Sequence, residues 1–128
     1  MRLLLDTHAL LWAIERNPRL SSRALEAIAD PDNEKLVSAV SAYEICMKHA
    51  LGKLPSAAAL ANAFEAEITA VDCTPLPISV AHAEAAGKLD AAHRGPFDRL
   101  LIAQARVERL VLVSNETLFD SYGIERLW

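Results

Sequence analysis

The chain has 128 residues, of which 52% are hydrophobic and 23% charged, and its formal net charge is −4. This length suits one domain with a real core, and the composition excludes a disordered chain. Apolar runs are far shorter than the roughly 20 residues of a membrane helix, and the acidic balance excludes attraction to nucleic acid through overall charge. We therefore expect a single domain over residues 1–128, located in the cytoplasm.

Strand-like and helical patterns alternate along the chain, with turns or caps between them. In chain order the predicted elements are strand Arg2–Leu5, helix Thr7–Glu15, a helix capped by Ser21 and Ser22 with Leu25, Ile28 and Ala29 on one face, strand Leu36–Ala39, helix Ser41–Leu51, helix Ala57–Ile68, strand Cys73–Leu76, helix Ser79–Gly87, a helix from Pro96 to about Arg109, strand Leu110–Val113, a short helix, and a final extended piece, Glu125–Trp128.

This alternation predicts an α/β fold, a three-layer α/β/α sandwich around a central parallel sheet. Strands separated by helices pair in parallel, because the helix carries the chain back to the same end of the sheet. Ligands of such folds bind beyond the carboxyl ends of the strands. The residues just after each strand are therefore the candidates for a site.

Four acidic residues lie close to strand ends or helix starts. They are Asp6, Glu44, Asp98 and Glu116. Each also has a structural interpretation, since acids cap helices and favour the positive ends of helix dipoles. Ser41 and Glu44 have the S-x-x-E spacing of a capping box, and Glu44 can pair with Lys48 one turn on.

Asp98 is the acid that a structural role explains least well. Its helical neighbours Leu101, Ile102 and Ala105 form an apolar face, and a buried carboxylate without a partner costs several kcal/mol. Converged carboxylates repel one another, and a hard divalent cation removes that repulsion. The spacing shows that the parts of a Mg²⁺ site are available; such an ion would activate water against a phosphodiester bond.

The sequence resembles the PIN-domain family, and within it the VapC-type toxins. The similarity rests on four segments, in order: LLLDTHALLWAI, SAVSAYEICMKHALGKL, HRGPFDRLLIAQA and LVLVSNETLFDSYGIERLW. The resemblance implies a ribonuclease that depends on Mg²⁺ or Mn²⁺, forms a homodimer and is inhibited by a cognate antitoxin.

The resemblance also implies which residues form the site. Asp6, Glu44 and Asp98 match the three main acidic ligands of the family, and Glu116 stands where the family usually has Asp. Thr7 and Ser114 match small hydroxyl positions that can hydrogen-bond a ligand carboxylate or cap a helix.

Two further features bear on this comparison. The related pattern often reads H-R-D-P-F-D-R, and Gly95 replaces the first of its aspartates, where it can act as a helix cap. Lys48, Arg94 and Arg99 are candidate RNA phosphate contacts, with His93 beside them; alternatively Lys48 is an ion-pair partner and His93-Arg94 a polar loop.

Other classes of function fit less well. No G-x-G-x-x-G follows the first strand, a dehalogenase-type phosphatase would have a second Asp at the position of His8, and the paired acids of a receiver domain are missing. Cys46 and Cys73 have no metal-ligand spacing and are expected to be free thiols. Because of Glu116 and Gly95, the alternative is a PIN-like module that binds RNA or a protein without cutting.

Overall fold

The computed structural model describes residues 1–90 and 95–128. Its strands are β1 (Arg2–Leu5), β2 (Glu34–Ser38), β3 (Cys73–Leu76), β4 (Val111–Val113) and β5 (Arg126–Leu127). Its α-helices are α1 (Thr7–Glu15), α2 (Ser22–Ala29), α3 (Ala39–Ala50), α4 (Ala58–Asn62), α5 (Phe64–Ala70), α6 (Val80–Gly87) and α7 (Pro96–Glu108), and 3-10 helices cover Pro55–Ala57 and Thr117–Tyr122.

The strands of the described residues form one parallel sheet in the order β3-β2-β1-β4-β5. β1 is central, and Leu5 is in register with Val37 of β2 on one side and Val113 of β4 on the other. The chain runs outward from β1 through β2 and β3, and β4 and β5 then form the opposite half. The strand order therefore reverses beside β1, which is where open α/β sheets bind ligands.

Alternate residues of the strands enter two cores on opposite faces of the sheet. Leu3 and Leu5 of β1 pack in the first core, with α1, α2, α4 and α5. Leu4 packs in the second core, mainly with α7 and the second 3-10 helix. The predicted three-layer α/β/α sandwich is thereby confirmed. No helix in the described ranges is long and apolar enough to cross a bilayer.

The apolar face noted for α2, with Leu25, Ile28 and Ala29, is not the face that this helix buries. Ala24 and Ala27 are the buried residues of this helix, whereas Leu25 is 53% exposed, Ile28 is half-buried and Ala29 is exposed. The helix carries apolar residues at five of its eight positions. Two apolar stripes therefore compete, and the local pattern does not decide between them.

The helix predicted over Ala57–Ile68 is interrupted. The backbone leaves the helical region at Ala63, where φ is −149° and ψ is 54°, and this residue separates α4 from α5. Alanine is a strong helix former, so the sequence carries no signal for this break.

Candidate active site

Asp6 follows the central strand directly and is only 6% exposed. Its backbone N–H donates to the carbonyl of Val113, which continues the β1–β4 ladder by one residue. Its Oδ1 accepts a hydrogen bond of 2.7 Å from the N–H of Ala9 and caps α1, and the Ser114 side chain hydrogen-bonds the same carboxylate. Burial nevertheless raises the pKa of Asp6, and the nearby Glu116 charge raises it further.

Glu44 lies in the second turn of α3, and both of its oxygens have partners. The hydroxyl of Thr7, at the start of α1, donates to Oε1 at 2.8 Å. Nζ of Lys48, one turn further along α3, donates to Oε2 at 2.6 Å. The i,i+4 pair predicted from the sequence is therefore present. The carboxylate is held from two directions at once.

The predicted capping box at the start of α3 is wrong. Ser38, the last residue of β2, caps this helix, and its Oγ accepts from the N–H of Val40. The helix begins immediately after the strand, so Ser41 lies inside its first turn and is fully buried. Its Oγ lies 3.0 Å from Oγ1 of Thr7. A hydroxyl three residues before Glu44 shares its helical face, and that spacing could have identified Ser41 as part of the site.

Asp98 is half-buried in the first turn of α7, and the helix begins directly after its cap residue, Gly95. A Cβ added to Gly95 would lie 3.6 Å from Oδ2 of Asp98, an ordinary van der Waals contact, so a larger residue at this position would stand directly beside the carboxylate. Leu101, Ile102 and Ala105 are buried, as the apolar face of this helix predicts.

Glu116 and Ser114 are positioned by the end of β4. The buried Ser114 follows the strand, and its Oγ accepts from the N–H of Glu116 at 3.1 Å. Arg126 of β5 donates to the carbonyl oxygen of Ser114 at 2.9 Å and pairs with Asp120. Ser114 therefore links the C-terminal strand to the Asp6 carboxylate.

The four predicted acids line one small cavity of about 50 Å³. Its walls are Asp6, Thr7, His8, Glu44, Asp98, Leu101, Glu116 and Phe119. Within residues 1–90 and 95–128, no group of three or more His, Cys, Asp and Glu side chains is arranged to hold a metal ion. The four acids nevertheless offer hard oxygen ligands, the type that Mg²⁺ and Mn²⁺ take. One of them, Asp6, is a carboxylate whose charge is poorly solvated because it is buried.

The basic residues predicted to contact RNA differ in their surroundings. Lys48 pairs with Glu44 at the cavity. Nη2 of Arg99 donates to the carbonyl oxygens of Ala86 and Leu89, each at 2.9 Å, at the end of α6. This part of the Arg99 guanidinium therefore fastens α7 to α6. Arg94 and His93 lie outside the described residues.

His8 also borders the cavity, on the exposed side of α1. Its ring stacks on that of Trp12 with the centroids 5.3 Å apart. Trp12 in turn packs against Trp128 and the first core. The stacking therefore gives His8 a structural role beside the cavity. Cys46 and Cys73 are both free, as predicted, and burial raises the pKa of the Cys73 thiol.

A family model described as the PIN domain matches residues 3–125, nearly the whole chain. The chain belongs to the PIN domain family. This PIN domain matches no curated protein.

Three solved structures have the same fold as this PIN domain. VapBC2 from Rickettsia felis, bound to a DNA fragment from their promoter, matches with a TM-score of 0.71 and 20% identity over 100% of both chains. VapC20 from Mycobacterium tuberculosis, a toxin that cleaves the sarcin-ricin loop, has a TM-score of 0.69 and 14% identity over 95% of both chains. VapBC-1 from nontypeable Haemophilus influenzae has a TM-score of 0.67 and 17% identity, covering 98% of this PIN domain and 96% of that chain.

Proposed function

We propose that this PIN domain is a metal-dependent endoribonuclease and the toxin of a toxin–antitoxin pair. The observation that carries the proposal is the shared cavity of Asp6, Glu44, Asp98 and Glu116 at the carboxyl end of the sheet. Membership of the PIN family and the fold shared with VapC20, a toxin that cleaves RNA, support it.

The four carboxylates are the groups that would hold a divalent cation, Mg²⁺ or Mn²⁺. When bound, the cation polarises the scissile phosphate and makes a nearby water easier to deprotonate. Asp6 is held for this role by Ser114 and by the amide of Ala9, and Glu44 is held by Thr7. Hydrolysis then adds water across one P–O bond of the RNA.

Lys48 is the described cation best placed to meet the RNA backbone. It is half-buried at the cavity, and its ammonium forms an ion pair with the Glu44 carboxylate. Phosphate contacts by Arg94 and Arg99 remain part of the proposal. Because the net charge is −4, attraction to RNA has to be local.

The proposal extends to partners. One solved structure with this fold is a toxin–antitoxin complex from Klebsiella pneumoniae, with a TM-score of 0.62 and 22% identity over 90% of this chain and 87% of that chain. We propose a cognate antitoxin and a homodimer for this protein, which would act in the cytoplasm as a single PIN domain. The exposed Leu25 lines an apolar groove of about 420 Å³ between α1 and α2, and this groove suits either the antitoxin or the second copy of the protein.

The second candidate is a PIN module that binds RNA or a protein without cutting it. The Glu44–Lys48 ion pair favours it, because a neutralised carboxylate is a weaker metal ligand. Incubation of the purified protein with small RNAs, with Mn²⁺ or with chelator, separates the two. Cleavage that requires metal and disappears in Asp6→Asn supports the nuclease; RNA binding without cleavage in the wild type supports the binding module.

A further inference from the structure

Ser41 is a fully buried hydroxyl that contacts the site without lining its cavity. It lies on α3, and its Oγ is 3.0 Å from Oγ1 of Thr7, 34 residues earlier in the chain. Capping of α3 does not require it, because Ser38 accepts the N–H of Val40. The position of Ser41 therefore calls for another explanation.

The protons of these hydroxyls can be assigned by counting. Glu44 is paired with the Lys48 ammonium, and an ionised carboxylate only accepts hydrogen bonds. Thr7 has a single hydroxyl proton and donates it to Glu44 at 2.8 Å. In its contact with Ser41, Thr7 must then be the acceptor. The direction of the chain is Ser41 to Thr7 to Glu44.

We propose that Ser41 is a positioning residue, which acts through Thr7 to fix the carboxylate of Glu44 toward the cavity. The inference rests on the proposed metal-dependent function. Groups that hydrogen-bond a metal ligand orient it before the ion arrives, and linked hydrogen bonds polarise and strengthen one another. A glutamate needs such support more than an aspartate, because it has one more rotatable bond to restrain.

The test measures Mn²⁺ affinity directly, from the electron paramagnetic resonance signal of the free ion. The variants are Ser41→Ala, Thr7→Val and the double substitution, each compared with the wild type. Ser38→Ala is the matched control. Ser38 is an equally buried serine at the start of the same helix, and among the described residues no hydrogen bond joins it to Thr7. Thermal unfolding in chelator checks that each variant is folded.

Ser41→Ala is expected to raise the Mn²⁺ dissociation constant about tenfold, the lower end of the effect of losing an outer partner of a metal ligand. In the Thr7→Val background the same substitution should change it less than about twofold, because the link is already cut. Ser38→Ala should lower the melting temperature and leave the dissociation constant unchanged.

Two outcomes would overturn the inference while leaving the proposed function intact. One is a wild type that binds Mn²⁺ together with a Ser41→Ala variant that binds it equally well. The other is an effect of Ser41→Ala that persists undiminished beside Thr7→Val, or that Ser38→Ala reproduces. A wild type that fails to bind Mn²⁺ at millimolar concentration would instead overturn the proposed function, and the inference with it.

Discussion

The carboxylate of Asp6 accepts a 2.7 Å hydrogen bond from the backbone N–H of Ala9, so the residue after the central strand both caps α1 and borders the acidic cavity. The cap needs an oxygen, and the proposed metal site needs a charge. An asparagine keeps the first and removes the second, because Asn caps helices about as well as Asp. The two roles can therefore be separated by substitution.

Asp6→Asn should reduce RNA cleavage at least about 100-fold, since the charge stabilisation that a bound cation gives the transition state amounts to several kcal/mol. In chelator the same variant should be more stable than the wild type, because a buried charge is gone. Asp6→Ala should be about 1 kcal/mol less stable than Asp6→Asn, since it also loses the cap. Cleavage assays and urea unfolding measure these effects; equal stability of the two variants would contradict the capping role.

The stabilising effect of Asp6→Asn should depend on pH. Burial raises the folded-state pKa of Asp6 above its ordinary value of 3.8, so the folded protein holds this proton more tightly than the unfolded chain. The contribution of Asp6 to stability is then fully present below pH 3.8 and is lost as the pH rises through the folded-state pKa. The difference in unfolding free energy between variant and wild type in chelator should therefore grow from acidic to neutral pH. A constant difference would show that the charge is not the cause.

Lys48→Met should strengthen Mn²⁺ binding and weaken RNA binding. Partly exposed ion pairs contribute about 0.2–1 kcal/mol, so releasing Glu44 should tighten Mn²⁺ binding by up to about fivefold. The affinity for RNA falls with rising salt. Loss of one phosphate contact should make this fall shallower, reducing the magnitude of the slope of log affinity against log salt by about 1. Lys88→Met is the matched control, because Lys88 forms an i,i+4 pair with Glu84 on α6 away from the cavity. An unchanged salt slope would remove Lys48 from the RNA interface.

Gly95→Asn and Gly95→Asp should differ in their response to metal. The φ of Gly95 is −84°, which any residue adopts, and either side chain can cap α7 for a gain of a few tenths of a kcal/mol. Only Asp adds a negative charge beside Asp98, with its Cβ 3.6 Å from Oδ2. We expect Asn to give the higher melting temperature in chelator and Asp to gain more on addition of Mn²⁺. The same ranking in both buffers would argue against an ion beside Asp98.

Glu116→Asp should preserve or raise RNA cleavage, because it keeps the charge and shortens the side chain to the length usual at this position. Glu116→Gln should weaken Mn²⁺ binding, since the carboxylate charge is lost from the cavity. Single-turnover cleavage and Mn²⁺ titration measure the two effects. A folded but inactive Glu116→Asp protein would mean that the site depends on the longer side chain.

Much of the fold could be predicted from short-range patterns. The bounds of β1, α1 and β3 agree with prediction, and Ser21, Ser79 and the proline at the start of α7 mark their helix starts. These signals act within about four residues, where capping and steric preferences decide the backbone. Which face of α2 is buried, and where the helix breaks at Ala63, depend on what packs against each helix, so the local pattern does not decide them.

The candidate site divides in the same way. The sequence alone determined which acids lie near strand ends or helix starts, and it indicated the Glu44–Lys48 pair, because one helical turn joins those two residues. Only the tertiary structure decided that Ser41 meets Thr7 and that Ser114 meets Asp6. The physical reason is the sheet order: placing β1 between β2 and β4 brings together side chains that lie 34 and 108 residues apart in the chain, and no local spacing encodes such contacts.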